Sequence, residues 1–492
     1  MKIAFVNDSC ERLGVEYISA VLKAAGHETR LFVDPQLFDD ENVSIKGLAR
    51  VFDCKKKLIA ELKAYQPDLV GISVVTDFYQ WAVGMTRLIK EAMDVPIILG
   101  GIHPTSVPER VIANESVDMV CVGEGEYAML ELVNSMAKGQ VDHTIRNIWF
   151  KKNGTVIRNE VRPLIEDLDA LPMPDKGLYS SASPHFAECY YIMTSRGCAY
   201  ACSYCCHSYL KKLYGGKRKY LRDRSVSNVI LELRNVAKSS FKKMVRFHDD
   251  DFCAHDHAWL KEFAFAYKEQ VGLPFTCFIH PNTVTEEKIA LLKLAGCHDV
   301  EIGVQSIAEA TRKNILNRDV PQERLIRAMR ILKEGGMDVI TDNILGIPGQ
   351  DVGEAIDLVR FYNENRVMKI YCFGFRYYPG TDIISAARAA GYLSDRDIER
   401  IEEGINAKAF IQGGDHWDQA IKQIQTFFTF LLYFPRGFNE FVIKNRLFRF
   451  FPSLPYFIGV IFSNWLRIPF RYNWALHITI ARYRRFMFRK YR

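Results

Sequence analysis

Short apolar runs alternate with amphipathic segments through the first 140 residues of the chain. The apolar runs have the length and β-branched content of buried strands; they are Lys2–Val6, Thr29–Val33, Leu69–Val75, Val95–Leu99 and Val117–Val122. Between them, Glu16–Ala25 and Trp81–Met93 show helical periodicity. Strands at this spacing predict a parallel, doubly wound, Rossmann-like α/β sheet, which binds ligands beyond the carboxyl ends of its strands.

Small residues follow these predicted strands at their carboxyl ends. The candidates for contact with a ligand are Ser73, Gly100, Gly101, His103, Gly123 and Gly125. Glycine lets a large ligand approach the backbone closely, but it is equally suited to a tight turn. The spacing alone leaves both interpretations open.

A second alternating pattern occupies residues 185–390, after a linker at 141–184 with a predicted hairpin at Ile145–Ile157. Six apolar runs predict its strands, namely Tyr190–Thr194, Met244–His248, Thr276–Ile279, Asp299–Gly303, Asp338–Leu345 and Lys369–Phe375. Six strands with intervening helices fit a partial (β/α)6 barrel, in which chemistry is expected at the carboxyl mouth. Residues 391–492 are predicted to be helical and become basic and aromatic.

The composition is that of an ordinary folded protein, with 492 residues, 48% apolar and 25% charged. The N-terminus has the pattern of a strand and not of a signal peptide. We therefore expect a cytoplasmic protein whose twelve cysteines are ligands or core residues and not disulfides. The net charge of +7 is concentrated at the end, because residues 436–492 contain twelve Lys or Arg and one acidic residue.

Three cysteines, Cys198, Cys202 and Cys205, share one short loop directly after the first predicted barrel strand. Their i, i+4, i+7 spacing lets three thiolates converge on an iron–sulfur cluster and leaves one iron without a protein ligand. An open metal position is typical of a catalytic centre, since structural sites are normally closed. The alternative is a zinc site with Cys206 or His207 as the fourth ligand, although adjacent side chains are expected to diverge.

Cys198, Cys202, Tyr204 and Cys205 closely resemble the C-x3-C-x2-C signature of the radical S-adenosylmethionine (SAM) superfamily, which has an aromatic residue before the last cysteine. The resemblance implies a [4Fe–4S] cluster on the three cysteines, with the methionyl amine and carboxylate of SAM on the open iron. It also implies an external electron donor, such as flavodoxin or ferredoxin, and cleavage of SAM to a 5′-deoxyadenosyl radical. The protein then positions the reactants and excludes water.

Further segments resemble superfamily motifs in the expected order. Asp250 and Asp251 correspond to the acidic segment that holds the methionyl amine. Glu301 and Gln305 correspond to the strand-four segment that contacts SAM, although the family often has Glu where this chain has Gln305. Gly346 begins a Gly-x-Pro-Gly turn like the one that packs near adenine.

The doubly wound domain before the barrel resembles the cobalamin-binding branch of this superfamily. The matching segments are Val70–Ser73, Leu99–Pro104 and Val122–Glu126. They imply cobalamin bound between the sheet and the barrel mouth. The loop after the first strand has Cys10 where other cobalamin proteins have a cobalt-binding His, so the resemblance implies no protein His on cobalt from this loop.

The segment 436–492 contains sixteen aromatic residues among its twelve cations. Its apolar run Leu454–Leu466 is too short to span a bilayer. Three interpretations stay open. The segment could lie peripherally on the inner face of the membrane, with Arg482 and the cations after it facing anionic headgroups. It could form a helical cap on the barrel or, as the least favoured option, bind nucleic acid.

The resemblance favours a class B-like, cobalamin-dependent radical methyltransferase that acts on an unactivated carbon. One SAM molecule then supplies the methyl group through cobalamin, and a second supplies the radical. The alternative is a radical SAM cyclase or rearrangement enzyme with the same cofactors and no methyl transfer; a non-catalytic scaffold is a third class. The aromatic tail favours a hydrophobic or lipid-like small-molecule substrate.

Overall fold

The structure is a computed structural model that describes residues 1–40, 45–182, 189–215, 220–237, 244–405, 419–452, 480, 482–484 and 486–487. Two parallel sheets follow one another along the chain, and a helical region comes after them.

The first sheet begins with five parallel strands. They are β1 (Lys2–Asn7), β2 (Glu28–Val33), β3 (Leu69–Ser73), β4 (Ile97–Gly100) and β5 (Met119–Cys121). Their order is β2-β1-β3-β4-β5, which confirms the predicted doubly wound sheet. The order reverses between β1 and β3, so a ligand crevice is expected at the carboxyl ends of these two strands.

The predicted hairpin extends this sheet. β6 (Ile148–Lys152) pairs antiparallel with β5, and β7 (Thr155–Ile157) pairs antiparallel with β6 across a turn at Asn153 and Gly154. Ile148 and Phe150 are buried in the core of the first domain. The hairpin therefore packs as part of the first domain.

Helices cover both faces of this sheet. They are Leu13–Ala24, Lys46–Val51, Lys55–Tyr65, Tyr79–Ala92, Ile102–Ser106, Pro108–Ile112, Glu126–Ala137 and Lys176–Ala182. Successive residues of β1 point to opposite faces, so that Ile3 and Phe5 enter one apolar cluster and Ala4 and Val6 the other. The domain therefore has an apolar core on each face of its sheet.

The second sheet begins at β8 (Cys189–Ile192), and a small antiparallel pair, β9 (Ser195–Arg196) and β10 (Arg222–Asp223), follows it in the chain. The next strands are β11 (Met244–Phe247), β12 (Phe275–Ile279), β13 (Cys297–Gln305), β14 (Asp338–Leu345) and β15 (Lys369–Gly374). β8 and β11 to β15 are parallel and pair in sequential order, which confirms the predicted six-stranded partial barrel.

Amphipathic helices form the outer layer of the barrel. They are Val226–Ala237, His257–Gln270, Glu286–Ala295, Gln322–Glu334 and Val352–Glu364. Two other helices, Cys206–Leu213 and Asp382–Ala389, come after β9 and β15, and Leu213 packs against the apolar core of the first domain. The apolar faces of several outer-layer helices meet outward-facing residues of the strands in one large buried cluster. The inward-facing residues are left to line the lumen.

The helices Asp395–Glu402, Gln419–Phe430 and Arg436–Lys444 follow the barrel. Phe427 and Phe428 of the second of them, and Val442 and Ile443 of the third, are buried against the barrel helix Val352–Glu364. The beginning of the basic, aromatic segment therefore packs as a cap, as one of the three interpretations predicted.

The end of the chain contacts the first domain. Arg482 is buried and forms an ion pair with Asp40, and the Tyr483 hydroxyl donates to the same carboxylate at 3.0 Å. Arg482 therefore does not face headgroups as the sequence suggested, because a buried carboxylate is its partner. Within the described ranges, no helix has the length and apolar character needed to cross a membrane.

Candidate active site

The three cysteines lie in the loop between β9 and the helix Cys206–Leu213. The loop starts at Gly197, whose φ is +94°; a Cβ atom there would collide with the carbonyl oxygen of Tyr220, so only glycine fits. The N–H of Ser203 donates to the carbonyl of Leu316, and the N–H of Ile383 donates to the carbonyl of Ser203, both at 2.9 Å. These contacts fix the loop on the barrel mouth.

All three thiols are free, and Cys202 is the most deeply buried of them. Burial raises the pKa of the Cys198 thiol to about 12. A hydrogen bond with Cys206, together with burial, raises the pKa of the Cys205 thiol well above its usual value. The thiolate forms of Cys198 and Cys205 therefore need a nearby positive charge, which iron ions would supply.

Cys205, Cys206 and His207 offer three ligand atoms within 4.8 Å of one another. The prediction that adjacent side chains diverge here is therefore wrong; Cys205 has extended backbone at the helix N-cap, and its side chain stays near that of Cys206. His207 is already engaged, with Nδ1 2.8 Å from the Tyr220 hydroxyl and Nε2 2.9 Å from Asp250. It is not available as a fourth ligand in this arrangement.

Arg318 lies directly beside the cysteine loop, although no sequence motif indicated it. One guanidinium nitrogen donates to the Cys202 Sγ at 3.7 Å and another to the Gly303 carbonyl at 2.6 Å. N–H groups directed at a ligating sulfur stabilise the thiolate and influence the cluster potential. Arg318 is 116 residues from Cys202 in the chain, so only the tertiary structure reveals the contact.

The acidic segment after β11 has three different environments. Asp249 is buried and accepts hydrogen bonds from the Thr194 N–H at 3.0 Å and from the Ser195 hydroxyl at 2.6 Å, so it fixes the strand that leads to the cysteines. Asp250 is half-exposed and pairs with His207. Burial lowers the pKa of His207, but the contact with Asp250 outweighs it and raises the pKa overall.

Only one oxygen of Asp251 has hydrogen-bond partners among the described residues. Its Oδ1 accepts from the His280 N–H at 3.1 Å and from the Thr283 hydroxyl at 2.9 Å, whereas Oδ2 is buried without a hydrogen-bond partner among the described residues. Burial raises the pKa of Asp251 to about 6. The His280 ring stacks on Tyr200 of the cysteine loop at 3.7 Å, which places this carboxylate near the loop.

Polar side chains line the barrel lumen below the mouth. Glu301 pairs with Arg246 at 2.6 Å, and both are buried. Burial and the adjacent Glu301 raise the pKa of Asp342 well above its usual value, and burial lowers the pKa of Lys369 to about 8. Nε2 of His248 is buried and has no hydrogen-bond partner in the described part of the chain.

The other candidate SAM residues lie around the same mouth. Gln305 ends β13 with a φ of +66°, and its amide lies over Gly303. Tyr204 packs against the apolar cluster that contains Ile347. The N–H of Gly346 donates to the Gln350 side chain at 2.8 Å.

Four candidates cluster at the carboxyl edge of the first sheet. Ser73 and Gly100 are adjacent in the pairing of β3 with β4, and Gly101 and His103 continue from β4. The His103 Nδ1 lies 3.1 Å from the Thr76 hydroxyl, while Nε2 is buried without a hydrogen-bond partner among the residues described. Burial lowers the pKa of His103 to about 3, so the ring is neutral.

Gly123 and Gly125 lie directly against side chains of other elements. A Cβ atom on Gly123 would collide with the hydroxyl of Tyr214, which follows the helix after the cysteine loop. A Cβ atom on Gly125 would lie 3.1 Å from Ile18. Between them, Glu124 forms an ion pair with Arg222 of β10 at 2.9 Å. This turn thus joins the first domain to the barrel.

The carboxyl edges of the two sheets face each other. Asp77, after β3, lies 3.6 Å from Arg376 and accepts a hydrogen bond from Tyr378 at 3.2 Å, both of which follow β15. The Tyr209 hydroxyl donates to the Thr105 carbonyl at 2.6 Å. The cysteine loop and the crevice of the first sheet therefore lie on one interface between the domains.

Two family profiles match the chain in this order. Residues 3–133 match the B12 binding domain, and residues 192–362 match the radical SAM superfamily. The chain is a radical SAM enzyme with a B12-binding domain. The cofactors that these domains imply are a [4Fe–4S] cluster, SAM and cobalamin, as the sequence predicted.

Several known proteins are similar to this radical SAM enzyme. An uncharacterized methyltransferase of Pyrococcus horikoshii is 28% identical over 77% of this chain and 79% of its own. The anaerobic magnesium-protoporphyrin IX monomethyl ester cyclase of Rubrivivax gelatinosus is 25% identical over 68% of this chain and 59% of its own. The structure of the radical SAM methyltransferase TsrM from Kitasatospora setae, with cobalamin and a [4Fe–4S] cluster bound, has a TM-score of 0.63 at 17% identity and covers 79% of this chain and 75% of that one.

The residues present fit these cofactors. Three free thiols in one loop are the donor set that a cluster with one open iron requires. At the crevice of the first sheet, the buried Ser9 Oγ and His103 Nε2 have no hydrogen-bond partners among described residues. Buried polar atoms of this kind are normally satisfied, so they are suited to contact a bound group.

Proposed function

We propose that this enzyme transfers a methyl group to an unactivated carbon of a hydrophobic small molecule. The observation that carries the proposal is the helix after the cysteine loop, because Tyr209 and Tyr214 dock this element onto Thr105 and Gly123 of the B12-binding domain. In this proposal, the two cofactor sites share one interface between the domains. When bound, the cluster with SAM supplies the radical and cobalamin supplies the methyl group. The methyltransferase of Pyrococcus horikoshii, similar over most of its length, supports this function.

Within this proposal, Cys198, Cys202 and Cys205 hold the cluster. Asp251 is a better partner for the methionyl ammonium than Asp250, because a buried carboxylate oxygen without a partner gains most from a cation. The remaining residues proposed to contact SAM are Tyr204, Glu301, Gln305 and Gly346. Since Glu301 is paired with Arg246, its proposed contribution is to hold the lumen in shape beneath SAM.

For cobalamin, the proposed contacts come from the carboxyl edge of the first sheet, namely Ser73, Gly100, Gly101 and His103. Gly123 and Gly125 contribute indirectly, since their missing side chains admit Tyr214 and Ile18. No histidine occurs in the loop after β1, and Asp8 there accepts hydrogen bonds from the Cys10 N–H and from Arg12. The proposal therefore keeps cobalamin without a cobalt ligand from this loop.

The proposed substrate is hydrophobic and carries at least one hydrogen-bonding group. A polar group is included because the buried Nε2 of His248, in the lumen, lacks a hydrogen-bond partner among the described residues and a bound substrate would satisfy it. Contact with a membrane surface through residues 436–492 is also part of the proposal, because it would bring the enzyme to a lipid-like substrate. The electron donor is proposed to be a flavodoxin or ferredoxin.

Ring closure without methyl transfer is the second candidate. The observation that favours it is the similarity to the magnesium-protoporphyrin monomethyl ester cyclase at 25% identity. The two candidates differ in stoichiometry. Methyl transfer to R–H consumes two SAM molecules and two electrons, and it yields R–CH3, methionine, 5′-deoxyadenosine and S-adenosylhomocysteine.

The test uses reconstituted enzyme, reduced flavodoxin and SAM that carries a CD3 group. These are incubated with an organic extract of cells that lack the gene, and products are analysed by mass spectrometry. We expect 5′-deoxyadenosine and an organic-soluble product with CD3 in place of one hydrogen. Cys202→Ala should abolish both together with the cluster iron, whereas Cys206→Ala should retain them, since Cys206 is not one of the three ligands.

Two outcomes would contradict the proposal in different ways. Formation of 5′-deoxyadenosine with an unlabelled new product would favour ring closure. A labelled product that arises only from an aqueous extract would keep methyl transfer but exclude a hydrophobic substrate.

A further inference from the structure

The helix Arg436–Lys444 and the turn Leu447–Phe450 bury one side and expose the other. On the buried side, Asn439 donates to the Asn363 side chain at 2.9 Å, and Phe448 enters the apolar core. On the outer side, three phenylalanines are exposed: Phe438 by 44%, Phe441 by 56% and Phe450 by 84%. A phenylalanine gains substantial free energy when it leaves water, so three within thirteen residues indicate a surface that is covered in function.

Cations accompany these rings. Arg436, Lys444, Arg446 and Arg449 are exposed in the same stretch. Its one acidic residue, Glu440, lies 3.8 Å from Arg360 and is therefore partly neutralised. The stretch thus combines exposed aromatic rings with a positive excess, which complements a surface that is apolar within and anionic outside. Anionic lipid at the membrane interface has this character.

The positive charge at the end of the chain has a different environment. Arg482 is paired with Asp40, and Tyr483 packs edge-on against Phe38 at 5.1 Å. These residues join the tail to the first domain. The exposed rings therefore identify the stretch 436–450, and not residues 482–483, as the surface open to a partner.

We propose that Phe438, Phe441 and Phe450, with Arg436, Lys444, Arg446 and Arg449, form a lipid-binding patch for anionic membranes. It rests on the membrane contact in the proposed function and gives that contact a location. The phenylalanines enter the interfacial region, and the cations meet the headgroups. Electrostatic attraction is screened by salt, whereas the burial of the rings is not.

The test is co-sedimentation of the full-length holoenzyme with vesicles of phosphatidylcholine and phosphatidylserine, and with vesicles of phosphatidylcholine alone. We expect binding to the anionic vesicles, weaker binding to the neutral ones, and partial release at high salt. Replacing all three phenylalanines (F438S, F441S and F450S together) should weaken the apparent affinity at least tenfold. The pair Lys444→Gln and Arg449→Gln should weaken binding mainly at low salt.

The matched control is Phe265→Ser, because Phe265 is similarly exposed, by 55%, but lies on the barrel helix His257–Gln270. It should bind vesicles like the wild type. Each variant must keep the wild-type melting temperature and cluster iron, so that a loss of binding reports on the surface and not on folding.

Three results would overturn the proposal. If the wild type ignores anionic vesicles, the membrane contact itself fails. If the triple variant binds as well as the wild type, the contact stands but the patch is wrongly located. If light scattering shows a wild-type dimer that the triple variant converts to monomer, without vesicle binding, the patch joins two copies of the chain. None of these results bears on methyl transfer, which product mass tests separately.

Discussion

At the scale of single residues, the environment of each side chain separates groups that look alike in the sequence. The consecutive carboxylates Asp249, Asp250 and Asp251 have three roles. The first fixes the start of β9, the second pairs with His207, and the third has a buried oxygen with no hydrogen-bond partner among the described residues. Desolvation disfavours the charge on Asp251, so a bound cation would be stabilised there more than at the half-exposed Asp250.

This difference predicts the effect of two matched substitutions on SAM binding. Asp251→Asn should weaken SAM binding about 10- to 100-fold, because one charge-assisted hydrogen bond in a buried site is worth roughly 1.5–3 kcal/mol. Asp250→Asn should change it less than threefold, since His207 is the partner of that residue. Equilibrium dialysis with the reconstituted enzyme measures both. Equal losses in the two variants would show that the ammonium is held by neither carboxylate alone.

At the scale of elements, the segment from the cysteine loop to β10 joins the two domains. Its helix carries Tyr209, Tyr214 follows the helix, and β10 supplies Arg222, which pairs with Glu124. The Glu124 N–H also donates to the Tyr214 hydroxyl at 3.0 Å. The element that follows the cluster ligands thus positions the B12-binding domain as well.

Gly123→Ala should disturb this junction. Its φ of +85° strains any side chain, and the new Cβ would also meet the Tyr214 hydroxyl. Gly139→Ala is the matched control, with a φ of +74° and nothing within 4 Å. We expect Gly123→Ala to lower the free energy of unfolding by at least about 1 kcal/mol more than the control, because both variants share the strain of a positive φ and only Gly123→Ala adds overpacking against Tyr214, which costs about 1–3 kcal/mol. Denaturant titration of the purified proteins measures both values.

Adding Tyr214→Phe to Gly123→Ala removes the clashing oxygen and should recover part of the excess loss. Weaker cobalamin binding with unchanged stability would instead indicate that Gly123 touches the corrin directly.

The strands of both sheets could be predicted from the periodicity of apolar residues. The five parallel strands of the first sheet and the six of the barrel have long, regular runs, and the cysteine spacing is local. The sequence could not predict β9 and β10, because two residues each are too short for a period. Nor could it find Arg318 beside Cys202 or Arg482 beside Asp40, which are 116 and 442 residues apart. Such contacts depend on how completed elements pack.

At the scale of the whole molecule, the two sheets face each other with their carboxyl edges, and the chain returns at its end to the first domain. Arg482 contacts Asp40, which follows β2, whereas Arg376 contacts Asp77, which follows β3. The segment 436–492 is therefore partly structural. A truncation near Pro435 would remove Val442, Ile443 and Phe448 from a buried cluster. It would therefore destabilise the cap as well as remove the lipid-binding patch.

The stability of the interface between the carboxyl edges of the two sheets is expected to depend on pH through Asp77. Burial raises its pKa to about 6, although Arg376 and Tyr378 act in the opposite direction. The pKa of Asp77 in the folded protein lies above its value of 3.8 in the unfolded chain. The folded protein therefore loses stability as the pH rises from 3.8 to about 6, and this loss is complete once the pH is above the folded pKa. The contribution of Asp77 should therefore fall by about 2–3 kcal/mol between pH 4 and 6, at 1.36 kcal/mol per unit.

Asp77→Asn removes this titration and should melt above the wild type at pH 7, with the difference shrinking towards pH 4. Differential scanning calorimetry of both proteins from pH 4 to 8 measures it. Asp357→Asn, whose side chain is 65% exposed on a barrel helix, controls for the general effect of pH. The opposite result would be a wild-type melting temperature that rises relative to that of Asp77→Asn as the pH increases. In that case the ion pair with Arg376 outweighs burial, and Asp77 is ionised between the domains throughout this range.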